Sequence, residues 1–568
     1  MRIERHHIDE AAVLAAREDF TNRIGREVRT MSKAGPVTGY EWGRLAEEFL
    51  DYLGALSVET PDLHTPEAKA VLGDAAEAAA GKVAYAAYFP VASFQVFLNY
   101  VNFGMTYDAE SEGAPETVSA YDWIDAFCLA VLAERAEWHG EAFHFAREAP
   151  LQGAAGRPAA ELVQGLMAYV AGDTGDDDAS YPPSREEKLA AIDAALARIQ
   201  DLDRELDAGL PDKPESTALR GLRALAAGDQ EAFAAALITL LTDHSRGAAR
   251  SNSTEALLPL LPLTLAALAH RREGWQVPVE TDYLPRALVT GFEEAGPRVG
   301  AYGRNRRPDA VAQLAAGPVE FERPGNPLTF TDAYVAELER DTKEILDLNR
   351  EEPVSAADWS EAMNDQELLF RFRSTLTPDV TDEQLENLTL ASRQGAEAFR
   401  ARGDDPRDRY STGAWRWLTA VSFALITGTR EDLAPLVLVD PALLSDRSAY
   451  ASYYQALHDY LRGVDPEPAT DRAVADLEKC ARGGFAPPPS ILLSQLVEGD
   501  EESFNLALLD ALETHRDYYR VANRAEDPDA AVNLNILALA CHARRRGWTI
   551  HVSSPYLPAR LLRAAEPL

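Results

Sequence analysis

Eleven histidines, three cysteines and 92 carboxylates are the side chains of this 568-residue chain that could hold a metal, relay a proton or attack an electrophile. His139 and His144, in His-Gly-Glu-Ala-Phe-His, have the composition of a metal motif. Their spacing turns them roughly 140° apart on a helix, whereas the zinc-hydrolase pair stands at i and i+4 on one face. His6-His7 lies at a terminus expected to be mobile, and no metal is assigned there. Cys128, Cys480 and Cys541 each sit inside an apolar helical pattern without a paired motif. That argues against disulfides and thiolate metal sites, and for a reducing compartment. The run Asp173 to Asp178 lacks the alternation and closing Glu of a calcium loop. The sequence has no phosphate-cradling glycine loop and no GxSxG elbow. Carboxylate pairs are so frequent that spacing singles out no acid–base dyad. The expectation is a protein with no catalytic, cofactor-binding or metal-binding residues, and so not an enzyme.

What the carboxylates do establish is a field. Against 55 basic groups they leave a formal net charge of -37, which repels phosphate backbones and anionic headgroups. Nucleic acid and membrane are therefore not expected as partners. A basic protein is the complementary one, since opposite potentials speed encounter and disfavour wrong pairings. Acidity that serves only solubility is the other reading. Met1 to Glu10 has no apolar core and no small-residue cleavage site, so no secretion signal is expected. The longest apolar stretch, Ala256 to Ala269, is shorter than the ~20 residues of a membrane span and carries Pro259 and Pro262, which makes it a buried helix. The expected location is cytoplasmic.

The elements that would position any site are helical, because alanine- and leucine-rich sequence with only 8% aromatics costs least to order in a helix. An internal duplication arranges them. Gly274-Trp275-Gln-Val277 through Tyr283-Leu284-Pro285 aligns with Gly547-Trp548-Thr-Ile550 through Tyr556-Leu557-Pro558 at a constant offset of 273. In both, an apolar helix is stopped by Gly, alternating residues follow, and a Leu-Pro opens a last short helix. Upstream, Gly228-Asp229 to His244 parallels Gly499-Asp500 to His515, Gln164 to Asp173 parallels Gln455 to Asp465, and Trp123 to Leu132 resembles Trp417 to Ile426. The first copy is longer between Asp173 and Pro214, and that insertion, with Asp176 to Asp178 and Pro182-Pro183, reads as a polar surface loop.

The recurring pattern of apolar helix, Gly-Asp turn and acid-headed helix makes an antiparallel hairpin, with Gly ending one helix and Asp capping the next. The fold class expected is all-α: two tandem, diverged copies of a solenoid-like α-hairpin domain, each closed by a short extended segment and a final helix. Such layers commonly bind proteins on their concave faces. The copies are assigned to residues 1–290 and 333–568. Residues 291–332 form a Gly/Pro-rich linker or crossover, basic at Arg298, Arg304, Arg306 and Arg307, and a solvated linker is preferred to an electrostatic strap. Trp275, Tyr283 and Pro285, their counterparts Trp548, Tyr556 and Pro558, and the pair Trp123 and Trp417 are read as structural anchors rather than binding hot spots.

The segment from Tyr121-Asp-Trp-Ile-Asp to Arg147, and the closing Gly-Trp-x-Val-x-Val…Tyr-Leu-Pro element at 274–285, resemble the immunity protein 49 family of bacterial polymorphic toxin systems. The likeness spans most of the first half and reaches the second through the duplication. It implies an all-α protein that protects its producer by binding a cognate toxin domain, with no enzyme activity of its own. On that expectation an acidic helical surface occludes the toxin, which suits a basic nuclease. Which half binds, and through which residues, the sequence leaves open. The alternative is a helical-repeat scaffold or regulator without a toxin partner.

Overall fold

Alanine- and leucine-rich runs bounded by capping residues fold as helices in the computed structural model, which describes the chain except residues 36, 176–180, 293–295, 326–332, 341–353, 404–405, 446–447, 483–485 and 566–568. Contacts divide the chain into two units, Met1–Glu294 and Ala295–Leu568.

In the first unit α1 (Gly39–Glu59) packs along α2 (Pro66–Tyr88). Thr38 and Glu41 satisfy each other's amides at the start of α1, and Thr65 with Pro66 opens α2. A Cβ on Gly81 of α2 would stand 2.9 Å from Val96 Cγ1, so glycine there is what lets a strand cross the helix. That strand, β1 (Phe94–Leu98), pairs antiparallel with β2 (Phe103–Tyr107). No hairpin is expected from the sequence, since its only signal is two brief alternations, Phe94, Val96, Leu98 and Phe103, Met105, Tyr107. The unit continues with α3 (Ala120–Leu132), α4 (Pro158–Leu166), α5 (Arg185–Leu206), α6 (Pro214–Ala227), α7 (Gln230–Ala248), α8 (Leu260–Glu273) and α9 (Arg286–Thr290). Helix α5 takes up most of the insertion read as a polar loop. Ile192, Ala195 and Ile199 bury one stripe of it, and the polar composition belongs to its solvent face. Asp176 to Asp178 lie outside the described residues.

The second unit holds β3 (Val319–Glu320), α10 (Ala356–Leu376), α11 (Asp382–Arg400), α12 (Ala414–Ile426), α13 (Ala451–Arg462), α14 (Ser490–Glu498), α15 (Glu501–Tyr519), α16 (Leu534–Arg545), β4 (Val552–Ser553) and α17 (Ala559–Ala564). Helices α12 and α13 repeat α3 and α4, and α14 to α17 repeat α6 to α9. The fold is all-α in two tandem diverged copies, each closed by an extended segment and a last helix. Gly228 and Gly499 adopt φ of 74° and 84°, and Asp229 and Asp500 cap the helix that follows by accepting the N–H of Ala232 and Ser503.

The duplication reaches further than the sequence alignment carries it. Ile3 N–H donates to Glu280 O at 3.1 Å, and Phe321 N–H donates to Ser553 O at 2.8 Å, each in a parallel pairing with the closing segment. Arg5 Nη1 then donates to Asp282 O, and Arg323 Nη1 to Pro555 O, both at 3.3 Å. The acceptors differ by the same offset of 273, which places the opening of the second copy at residue 319 rather than 333. Before that point the chain is not a solvated linker. Arg298 pairs with Asp510 and Glu513, Arg306 pairs with Asp500 and Glu502, and Tyr302 donates its hydroxyl to Asp471 at 2.9 Å. Val299 is buried among the apolar residues of the unit. Arg298 and Arg306 find carboxylates on α15 and at its cap, while Arg307 pairs with Asp309 and Arg304 lies over the Tyr302 ring, so the described part of the segment lies down as a strap on the acidic helices.

Candidate partner-binding site

Trp123 and Trp417 are fully buried, and each donates its indole N–H to a carbonyl about twenty residues on, Phe143 O at 3.1 Å and Leu436 O at 2.9 Å. Trp275 and Trp548 are half-buried and stand edge-on to Phe233 and Phe504, with centroids 5.7 and 5.5 Å apart. Tyr283 and Tyr556 are buried and meet His244 and His515 edge-on at 5.1 and 5.3 Å. Pro285 and Pro558 stand immediately before α9 and α17. In each unit the last three contacts tie the closing segment to the helices it follows.

Two arginines that drew no notice in the sequence do comparable work. Arg545 donates from Nη1 to Gly428 O at 2.9 Å and from Nη2 to Ile426 O at 3.0 Å, at the C-terminal end of α12. Arg271 donates from Nη1 to Val131 O and Leu132 O, both at 3.2 Å, at the end of α3, and from Nη2 to Leu288 O at 2.8 Å. A cation at a helix C-terminus meets unsatisfied carbonyls and the negative end of the dipole. The two positions are 274 apart instead of 273, and that one-residue slip hides the correspondence.

The side chains with metal or nucleophile chemistry are dispersed. His139 Nε2 faces Glu77 at 3.3 Å beside Arg135, and His144 Nδ1 faces Asp173 at 2.5 Å beside Arg147, so the two histidines serve separate ion pairs. His6, expected at a mobile terminus, is packed instead. Its main-chain N–H donates to the Tyr283 hydroxyl at 3.0 Å, which leaves the hydroxyl proton to go to His6 Nδ1 at 2.7 Å. Strand pairing at Ile3 and burial of Ile3 and Ile8 hold it there. Desolvation pushes the buried Cys128 and Cys541 thiols up to about 12, so both stay protonated. Among the described residues no group of three or more His, Cys, Asp or Glu side chains is arranged to hold a metal ion, and no helix is long and apolar enough to cross a membrane.

What the fold does bring together is acid. In the first unit α1, α3, α7 and the segment before α8 surround a cavity of about 720 Å³. Glu47 from α1, Asp122 and Asp125 from α3, Asp243 from α7, and Glu255 line it, and Lys82 is the one lysine or arginine among the described lining residues. The Ser119 cap starts α3 so that Asp122 and Asp125, three apart, share a face. Lys82 Nζ is committed to Asp122 at 2.9 Å. Burial within the walls, then Asp122 and Glu255, pushes Asp125 up to about 6, although its side chain opens to the cavity. Burial, then Asp51 and Glu47, pushes Glu255 up as well. Both shifts have one origin: carboxylates crowded where bulk water is restricted and cations are too few. His244 Nε2 lies 2.8 Å from Ala256 O and donates to it, while burial lowers the ring's pKa, so the imidazole is neutral and adds no positive charge. No spacing marks this set in the sequence, because its members come from positions 47 to 255 and meet only through packing.

The chain matches no curated protein and no solved structure. The model of one family, immunity protein 49, does match it, over residues 60–288 and again over residues 347–561, once in each unit. Those two matches take in most of the sequence and coincide with the two helical copies, and the chain belongs to the immunity protein 49 family, carried twice in tandem.

Proposed function

We propose that this chain is an immunity protein that binds and neutralises a cognate toxin of a bacterial polymorphic toxin system, by covering the toxin rather than by chemistry. The observation that carries the reading is the family match in both copies. The physical setting agrees with it. A formal net charge of -37 steers a basic protein toward the surface and repels nucleic acid. A basic nuclease is the toxin class best suited to such a surface, since its substrate-binding face is itself built to meet negative charge. On this reading the protein acts in the producer's cytoplasm, has no enzyme activity, and needs no cofactor.

The test is co-expression with the product of the neighbouring toxin-like gene in a sensitive host, followed by sizing of the purified mixture. Rescue of growth with a co-eluting complex is the expected result. Continued killing with folded, non-interacting protein would overturn the reading in favour of a scaffold without a toxin partner.

A further inference from the structure

The two copies differ at one position of the repeat in a way that opens space. Leu240 of α7 is buried, and its counterpart on α15, at the offset of 271 that joins Asp229 to Asp500, is Ala511. Ala511 lines a second-unit cavity of about 410 Å³. A leucine cut back to alanine leaves a void unless its surroundings move in. Here they are held. Three consecutive prolines, Pro487 to Pro489, form one wall with φ fixed by their rings, and the strap forms another through Pro297, Val299 and Gly300. The strap is fastened to α15, where the Arg298 main-chain N–H and Nη1 each donate to the Asp510 carboxylate at 2.7 Å. The walls offer an occupant little polarity, because the four described lining residues with polar side chains are engaged within the protein. Asp510 holds Arg298, and Thr514 donates its hydroxyl to Asp510 O at 2.9 Å. Asn533 accepts the N–H groups of Asn535 and Ile536, both at 3.1 Å, while its amide donates to His515 Nδ1 at 3.3 Å, and burial keeps that ring neutral. Even Gly300 O accepts from Gln495 Nε2 at 2.9 Å. Water needs roughly two to four polar partners to stay in a cavity, and these groups are already taken.

We infer that the second unit carries a binding site for a small, uncharged, largely apolar molecule, about the size of one or two fused rings, between α15, the three prolines and the strap. The inference is independent of the toxin-binding reading and concerns the second copy alone. Mainly apolar walls and this volume are the features of sites that take such ligands, and apolar cavities that exclude water are known to admit aromatic rings. Because the strap supplies part of the wall, an occupant adds contacts that are lost when the strap lifts. Occupancy therefore holds the strap down, as any ligand stabilises the state that binds it.

Calorimetric titration of the full-length protein with indole tests this, with tryptamine, the same ring carrying an ammonium group, as the charged comparison. Indole is expected to bind at one site with a Kd below about 1 mM. Tryptamine should bind at least about fivefold more weakly, although the negative field of the chain attracts it. Ala511→Phe, which places a ring in the cavity, should raise the indole Kd at least about tenfold. Should that variant lose its folded signal, Ala511→Leu, which restores the residue of the first copy, decides the matter with a rise of about threefold or more. Saturating indole should also slow tryptic cleavage after Arg304 several-fold in the parent and leave the rate unchanged in the variant. No heat from indole, tryptamine binding as tightly as indole, or an indole Kd that a folded Ala511→Phe protein leaves unchanged would each overturn the site.

Discussion

Replacing Arg545 by alanine removes a buried cation that closes the C-terminal end of α12. The side chain is 9% exposed and donates to Gly428 O at 2.9 Å and Ile426 O at 3.0 Å. Hydrogen bonds from a charged group contribute about 1.5–3 kcal/mol each, and a carbonyl left buried without a donor costs about 1–3 kcal/mol. Part of that cost is recovered because the guanidinium is no longer desolvated, a penalty that its lowered pKa, caused by burial, reflects. A net loss of about 3 kcal/mol in the second unit follows, or roughly 6–12 °C in the melting of a unit this size. Arg545→Lys should lose somewhat less, because its ammonium keeps a donor for one carbonyl although it cannot span both as a fork does. Hydrogen exchange read by mass spectrometry is the assay of choice, since it reports each unit separately. Protection in α12 and α16 should fall by about two orders of magnitude in the alanine variant while the first unit is unchanged. A second unit whose protection changes by less than threefold would refute the reasoning, for it would mean that water serves these carbonyls as well as the arginine does.

Trp417→Phe removes the donor to Leu436 O and part of a fully buried ring, and should cost about 2–3 kcal/mol in urea unfolding; a loss under about 0.5 kcal/mol would count against the anchoring role. Burial pushes His515 down to about 3 and His542 down to about 4, while the unfolded chain titrates them near 6.5. As pH falls through that window the unfolded state takes up protons the folded state refuses, so second-unit stability should decline by about 4 kcal/mol between pH 7 and pH 5. A pH profile measured by denaturant titration that stays level, or that His515→Gln with His542→Gln does not flatten, would contradict this. Arg298→Ala with Arg306→Ala releases both ends of the strap's ion pairing, worth about 1–2 kcal/mol together because the pairs are half-buried. Trypsin should then cut after Arg304 several-fold faster, and an unchanged rate would argue that Val299 and Tyr302 hold the segment without the ion pairs.

The closing element was legible because its signals are local. A Gly at φ of 69° in Gly274 and 90° in Gly547 ends the helix, and the Trp that follows donates its N–H back to Ala269 O or Ala543 O. Such a motif needs only a few consecutive residues, and it repeats at one offset. The β1–β2 hairpin was not legible, since ten residues of alternation inside a helical chain are easily read as more helix. Nor was the strap, whose arginines resemble those of a solvated linker until α15 supplies Asp510 and Glu513.

By itself the sequence determined the helices, their caps, the tandem copy and the negative field, because periodicity, glycine stops and net charge act over a turn or over the whole molecule and need no knowledge of neighbours. Tertiary structure alone decided that residues 1–5 and 319–323 are the same strand, that Arg271 and Arg545 serve the same purpose, and that Glu47, Asp122, Asp125, Asp243 and Glu255 share one cavity. Those facts depend on which surfaces meet when apolar faces are buried, and residues two hundred positions apart acquire a common chemistry only once that packing has placed them within a few ångströms.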